Sequence, residues 1–222
     1  MKTSAVVPVF NEERTIRKVL ETLVSSNLID DVVVVNDSST DNSLKEIRSI
    51  KSKKIGVISL KKNVGQSDAY KIGIASTKAD LIFFCDGDLN DFHTQHIEQI
   101  LTPIIQGNKG LSVGLRDYGK LRNFFYKKGF YPVISGEGAI PYDIFNEAKK
   151  DPLMKKYCMT LVLNEHCQSR GIPVYKQIME GVSHTTKLKK WDNGFLLLIK
   201  EIFEIAFTLL ALKTRRIINS IR

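Results

Sequence analysis

The sequence predicts an α/β fold: a mostly parallel sheet flanked by helices, with a C-terminal amphipathic helix. Two observations carry this. Short apolar runs alternate with helical patterns through the first half of the chain. Those runs are apolar at nearly every position rather than at every second one, as in strands covered on both faces. The 222 residues, 43% hydrophobic and 26% charged, are enough for a sizeable core and argue against disorder.

Taken in order, Ala5–Val9 reads as a buried strand, and Ile16, Val19, Leu20 and Leu23 follow helical spacing. The β-branched run Val32–Val35 is a second strand, and Leu44, Ile47 and Ile50 mark a second helix. Ile55–Leu60 is a third strand. Gly65–Ser76 reads as helical although Gly73 weakens it by about 1 kcal/mol relative to alanine. Leu81–Cys85 is a fourth strand, and Ile97–Ile105 lies in the next helix. The second half is less regular. It predicts a strand at Leu111–Gly114, helices over Lys120–Lys128, Pro141–Lys150 and Tyr157–Ser169, and a strand at Val174–Met179. A polar, basic loop spans Gly181–Gly194, and a long apolar helix spans Phe195–Leu212.

Composition narrows the function classes. Lys and Arg number 33 against 24 Asp and Glu, a net charge of +9, which points to an anionic partner. The basic residues are not organised as a nucleic-acid module, so no nucleic acid is expected. Cys85, Cys158 and Cys167 are too few and too scattered for a disulfide framework or a zinc knuckle, which fits a reducing compartment. No signal-peptide pattern and no charge-free span of about 18 apolar residues is found, so a cytoplasmic protein is expected. Neither GxGxxG after the first strand nor GxxxxGK[ST] occurs, which argues against dinucleotide oxidoreductases and P-loop NTPases.

Ligands of such sheets bind beyond the carboxyl ends of the strands. Three polar or acidic loops fall there: Pro8–Glu13, Asn36–Asp41 and Asp86–Asp91. Carboxylates gathered at one edge of a basic protein call for a counter-ion. Asp86-Gly87-Asp88 is the sharpest signal, because two carboxylates at i and i+2 can share a hard cation, Mn²⁺ or Mg²⁺, and leave positions for phosphate oxygens. The alternative is an ordinary Asp/Gly turn. Asp37 can accept a base imide N–H or hold a ribose hydroxyl, with Asp41 or Thr40 left to cap the following helix.

The segments VVPVFNEERTI, VVVVNDSSTDNS, KNVGQSDAYKIGI and LIFFCDGDL occur in the order and spacing of family 2 glycosyltransferases of GT-A fold. The chain resembles that family from residue 4 to about 115, and polyprenyl-phosphate sugar transferases in particular. The resemblance implies a GT-A-type, Rossmann-like domain over 1–190. It divides into a nucleotide-sugar-binding half (1–115) and an acceptor half (116–190), with residues 191–222 forming the basic C-terminal helix. It also implies a nucleotide-diphosphate sugar donor, UDP- or GDP-linked, a divalent metal, and transfer to an acceptor, with inversion. By motif position Pro8, Val9 and Glu12 line the nucleoside pocket, Asp37 is the base-contacting aspartate, and Asp86 and Asp88 form the Asp-x-Asp motif. Asn90 falls where related enzymes carry a metal-side glutamine. Asn36-Asp37-Ser38-Ser39 stands where the family usually has two aspartates followed by Gly-Ser, so the second aspartate is kept and the turn is changed.

In the second half Ser135-Gly136-Glu137-Gly138-Ala139 resembles the acceptor-side wall, where Glu137 either contacts the sugar or acceptor or is an exposed loop glutamate. Thr160 falls where many relatives carry an acid. His184, in Gly181–Lys187, matches a late histidine that completes the metal site in several GT-A enzymes, and Lys187, with Lys189 and Lys190, is placed to close over the diphosphate or an acceptor phosphate. His93 and His96 read as helix surface. A hydroxyl acceptor needs a general base, for which Asp91 and Glu137 are the candidates, with Asp88 at the reaction centre. A polyprenyl phosphate is already ionised and needs none. From Lys187 to Arg222 there are eight basic and three acidic residues, a balance of +5. That helix fits a peripheral contact with the inner face of a membrane, packing on the domain, or a homodimer. The competing functions are a non-catalytic nucleotide-binding scaffold and a sugar-1-phosphate nucleotidyltransferase. The latter typically has a Gly-rich, basic loop where this chain has Phe10–Arg14.

Overall fold

The computed structural model of the chain describes residues 1–117, 119–120, 123, 135–184 and 194–221. The elements of the first half are β1 (Thr3–Val9), α1 (Ile16–Ser25), β2 (Asp31–Asn36), α2 (Ser43–Ser49), β3 (Ile55–Ser59), α3 (Gln66–Ala75), β4 (Leu81–Phe84), β5 (Leu89–Asn90) and α4 (Thr94–Ile105). Then come β6 (Leu111–Arg116), β7 (Gly138–Pro141), α5 (Tyr142–Ala148), α6 (Met159–Ser169), β8 (Val174–Met179), β9 (Ser183–His184) and α7 (Gly194–Ile221).

The main sheet has seven strands in the order β3-β2-β1-β4-β7-β6-β8. Its first four strands are parallel, with Val6 opposite both Val33 and Phe84. β7 runs antiparallel to both β4 and β6, and β8 runs parallel to β6. Because side chains alternate across a strand, β1 supplies both cores. Ala5, Val7 and Val9 pack with Ile16, Leu20, Ile97 and Leu101 on one face. Val6 packs with Tyr70, Ile74, Phe145 and Val162 on the other. The continuous apolar runs are thus explained by helices on both sides. β3 departs from this rule: as an edge strand it leaves Val57 exposed.

Gly73, a weak point for a helix in the sequence, has a packing reason. A Cβ there would collide with the side chains of Val6 and Val35, so the glycine lets α3 lie close on β1 and β2. The strand β7 has no counterpart among the elements that the sequence predicts. It is four residues long and begins at Gly138, whose missing side chain accommodates the Phe84 ring. The loop predicted over Gly181–Gly194 contains a short strand: β9 pairs antiparallel with β5, Leu89 opposite His184 and Asn90 opposite Ser183. The helix expected over Lys120–Lys128 lies almost wholly outside the described residues, as do Lys187, Lys189 and Lys190.

Candidate active site

The parallel arrangement brings the loops after β1, β2 and β4 to one edge, and side chains lace them together. Asn11 Oδ1 accepts the Thr40 N–H at 2.7 Å, and the Glu12 N–H donates to Ser43 Oγ at 2.7 Å. Thr15 Oγ1 donates to the Gly87 carbonyl at 2.8 Å. Asn36 Oδ1 accepts the Ser39 N–H at 3.2 Å, closing the turn, and Ser38 holds φ at +60° where the resembling motif has glycine. The Asn36–Ser39 variant is therefore a turn stabilised by its own asparagine.

Asp37 is buried and does not cap α2. Its Oδ1 accepts the Val64 N–H at 2.8 Å and its Oδ2 the Gly65 N–H at 3.0 Å, so it clamps the loop leading into α3. Asp41 takes the capping work, receiving the Ser43 N–H at 2.9 Å. The side chain of Val9 lies in the core and offers this edge only its carbonyl, which accepts the Asp37 N–H at 2.8 Å. Pro8 and Glu12 are partly buried at the same rim.

The acidic centre lies one strand over. Gln66 Nε2 donates to Asp86 Oδ1 at 2.6 Å, and the Tyr70 hydroxyl lies 3.1 Å from that same oxygen and 3.2 Å from the Gly136 carbonyl oxygen. Gly136 abuts the other side of the carboxylate, where any Cβ would overlap it. Glu137 is wholly enclosed rather than exposed in a loop. Its Oε2 lies 3.1 Å from Ser135 Oγ, and its Oε1 is buried with no hydrogen-bond partner among the described residues. Burial, then the Asp88 charge, raise the Asp86 carboxyl to about 6, while Arg116, Tyr70 and Gln66 pull it down. Burial, then Asp86, raise Glu137 to about 8 against the pull of Arg116. Burial likewise holds the Tyr70 phenol well above its ordinary range, so it stays a donor.

This donor set fits a hard divalent cation. It offers carboxylate oxygens, with Asp86 and Glu137 raised by burial and neighbouring negative charge and the buried Glu137 Oε1 unmatched among the described residues. Among the described residues no three His, Cys, Asp or Glu side chains are grouped so as to hold a metal ion together, so a cation here would rest on fewer protein ligands and on oxygens from a bound molecule. The β5–β9 pairing puts the His184 backbone directly opposite Leu89, next to Asp88 in sequence.

The sequence model "Glycosyl transferase family 2" matches residues 4–168. The chain belongs to glycosyl transferase family 2. Among curated relatives of this family-2 chain, an undecaprenyl-phosphate 4-deoxy-4-formamido-L-arabinose transferase of Proteus mirabilis is 34% identical over 97 residues, 40% of this chain and 30% of that protein. A 4,4'-diaponeurosporenoate glycosyltransferase of Staphylococcus aureus is 26% identical over 144 residues, 64% of this chain and 38% of that protein. The chain thus spans about a third of the length of the curated relatives it matches. Among solved structures, glucosyl-3-phosphoglycerate synthase of Mycobacterium tuberculosis, in complex with Mn²⁺, UDP and glucosyl-3-phosphoglycerate, superposes with a TM-score of 0.74 at 20% identity. The match covers 95% of this chain and 79% of that one. The same enzyme with Mg²⁺ and UDP gives 0.75 at 19% identity, covering 95% and 79%. At that identity the likeness establishes the fold, which is GT-A.

Within the family-2 framework Asp86, Asp88 and Glu137 lie near enough for charge to act between them, and Asp37 holds the loop that leads to Gln66. Asn90 is partly buried in β5, and Asp91 is exposed with φ at +56°. Thr160 is buried, its hydroxyl bonded to the Ser135 carbonyl. His96 is not helix surface: it is 1% exposed. Its Nδ1 accepts the His93 N–H at 3.0 Å, which leaves Nε2 to donate to the Glu180 carbonyl at 3.2 Å and tie α4 to the late loop. Reasoning from sequence missed Gln66, Tyr70 and Arg116. Gln66 and Tyr70 stand at i and i+4 at the start of a helix, which puts them on one face. That spacing was the available signal for two of them; Arg116, at the end of β6, had none.

Proposed function

We propose that this protein is a metal-dependent, inverting glycosyltransferase. It moves a sugar from a UDP- or GDP-linked donor to a polyprenyl-phosphate acceptor. The observation that carries the reading is the place of Asp86, held by Gln66 and Tyr70 at the edge where Asp37 holds the loop into α3, with the charges of Asp88 and Glu137 nearby. The solved neighbour of the same fold is a complex with Mn²⁺ and UDP, and one relative is named for an undecaprenyl phosphate. Both support the classes of donor, metal and acceptor.

Asp86 and Asp88 would hold the metal, with His184, whose backbone pairs with Leu89, as the further candidate ligand. Mn²⁺ or Mg²⁺ bound there supplies Lewis acidity to the departing diphosphate. Gln66 and Tyr70 fix Asp86 Oδ1, and Gly136 backs Oδ2, so the carboxylate is held in one orientation. Pro8, Glu12 and Asp37 frame the nucleoside, while Asn90 flanks the diphosphate. Glu137 is enclosed and Asp91 points from an exposed turn, so neither has a shielded route to an acceptor proton. An acceptor that arrives already ionised needs no such base, which favours phosphate over hydroxyl. A lipid-borne acceptor lies in a bilayer, and the protein meets it as a peripheral protein on the cytoplasmic side.

A thermal-shift panel of nucleoside diphosphates with and without Mn²⁺ tests this. At a hundredfold excess over Kd the expected gain is about 2.7 kcal/mol, or roughly 5–10 °C for a domain of this size. UDP or GDP is expected to give that shift only with Mn²⁺, and Asp88→Asn to abolish it. Equal melting temperatures across the whole panel would reject the reading.

A further inference from the structure

We propose that the outer face of α7 is a docking surface for an anionic lipid bilayer, on which it lies flat. The proposal deepens the lipid-acceptor reading and rests on it for its purpose, but its measurement is independent of catalysis.

The polarity of α7 is the reverse of that of a water-facing helix. Four of its polar side chains, Glu204, Thr208, Arg215 and Arg216, contact the domain. Arg215 Nη1 meets Asp151 at 2.5 Å, Arg216 Nε donates to Glu165 at 2.7 Å, Glu204 pairs with Lys156, and Thr208 Oγ1 lies 3.1 Å from Cys158 Sγ. Its outward face is apolar: Phe203, Phe207 and Leu210 are 71%, 68% and 65% exposed, continued by Ile217 at 53%. Phe203, Phe207, Leu210 and Ile217, with Thr214 between the last two and its hydroxyl bonded back to the Leu210 carbonyl, recur at three- and four-residue steps, which makes one stripe about 21 Å long. Exposing such a stripe is costly unless something covers it.

Charge identifies the cover. Lys200 and Lys213 are exposed beside the stripe. Glu204, the acid of the helix whose side chain is described, faces the domain and is neutralised there. The rim offered outward is cationic around an apolar centre, which suits acyl chains beneath anionic headgroups. No helix among the described residues is long and apolar enough to cross a membrane, so α7 lies along the surface. A second copy fits less well. Parallel pairing of this face sets each lysine against itself, and antiparallel pairing sets Lys200 of one copy near Lys213 of the other.

The inner face fixes what the bilayer would orient. Lys156, paired with Glu204, has φ at +49°, and its carbonyl accepts the Ser67 N–H at 2.8 Å. Ser67 adjoins Gln66, the residue that holds Asp86. The helix is thereby braced to the turn that seats α3, and the acidic centre keeps a set position relative to the lipid surface.

Co-sedimentation of the full chain with phosphatidylcholine vesicles, with and without phosphatidylglycerol, tests this. Binding is expected only with phosphatidylglycerol, and to weaken with salt. The triple variant Phe203→Ser, Phe207→Ser, Leu210→Ser changes exposed side chains only, and is expected to lower binding roughly tenfold or more. Its melting temperature and its response to UDP with Mn²⁺ are expected to stay as in the parent, so failure here is distinguishable from failure of the donor-site reading. Absence of vesicle binding in the parent, or undiminished binding by the triple variant, overturns the proposal. So does a dimer seen by light scattering that the triple variant abolishes while lipid binding is absent.

Discussion

Glu137 and Asp86 show what burial does to neighbouring carboxylates. Both titrate above their ordinary range, Asp86 near 6 and Glu137 near 8, and desolvation is the first cause for each. A carboxyl raised on folding keeps its proton in the folded state while the unfolded chain has already lost it. Stability from these groups is therefore greatest below pH 4 and falls as pH rises towards 8. Melting scans of the metal-free protein are expected to show a contribution that declines from pH 5 to 8. Glu137→Gln is expected to flatten the upper part of that decline, and Mn²⁺ to oppose it by replacing protons with a cation. An unchanged slope in Glu137→Gln would mean that the glutamate is neither enclosed nor coupled as described. Gly136 acts by absence: a methyl there would overlap the Asp86 carboxylate. Gly136→Ala is expected to cost about 1–3 kcal/mol and to remove Mn²⁺ binding in titration calorimetry while the circular dichroism spectrum stays native.

Helix α3 carries more of the site than its length suggests. It starts under the Asp37 clamp, presents Gln66 and Tyr70 to Asp86, and packs flush on β1 and β2 through Gly73. Asp37→Ala removes the acceptor of two backbone N–H groups. Hydrogen exchange at the Val64 and Gly65 amides is expected to accelerate by at least about tenfold, since each charge-assisted bond contributes about 1.5–3 kcal/mol. Exchange at β4 amides should hold steady, and equal acceleration there would indicate general destabilisation instead. On the other side α4 uses His96 as a strut to Glu180, ahead of β9. Burial lowers the His96 pKa, so the neutral ring that can accept the His93 N–H persists below the usual histidine range.

Across the molecule, α7 is joined to the domain by ion pairs near its C-terminal end and by Thr208 and Leu212 along its length. Partly exposed pairs contribute modestly, about 0.2–1 kcal/mol each. Asp151→Asn with Glu165→Gln is expected to speed exchange in α7 while lowering global stability by no more than about 2 kcal/mol, as read by urea denaturation. A loss of cooperativity across the sheet would show that α7 is integral to the core instead.

The parallel half of this protein was legible from local chemistry. Apolar runs announce strands covered on both faces, and acidic loops at their carboxyl ends are brought together by parallel topology, so the Asp86-Gly87-Asp88 and Asp37 loops could be assigned to one edge. Those features are local in the chain. Glu137 in its enclosed pocket, Arg116, the strand β7 and the β5–β9 pairing depend on contacts between residues far apart in sequence, and no periodicity records them. His96 carries the same lesson: its polar ring resembles surface until the Glu180 carbonyl, 84 residues on, arrives to accept a hydrogen bond from its Nε2–H. The inward polarity of α7 likewise follows from where Asp151, Glu165 and Lys156 stand. A helical stripe states that two faces differ, and only the packed neighbours settle which one meets the domain.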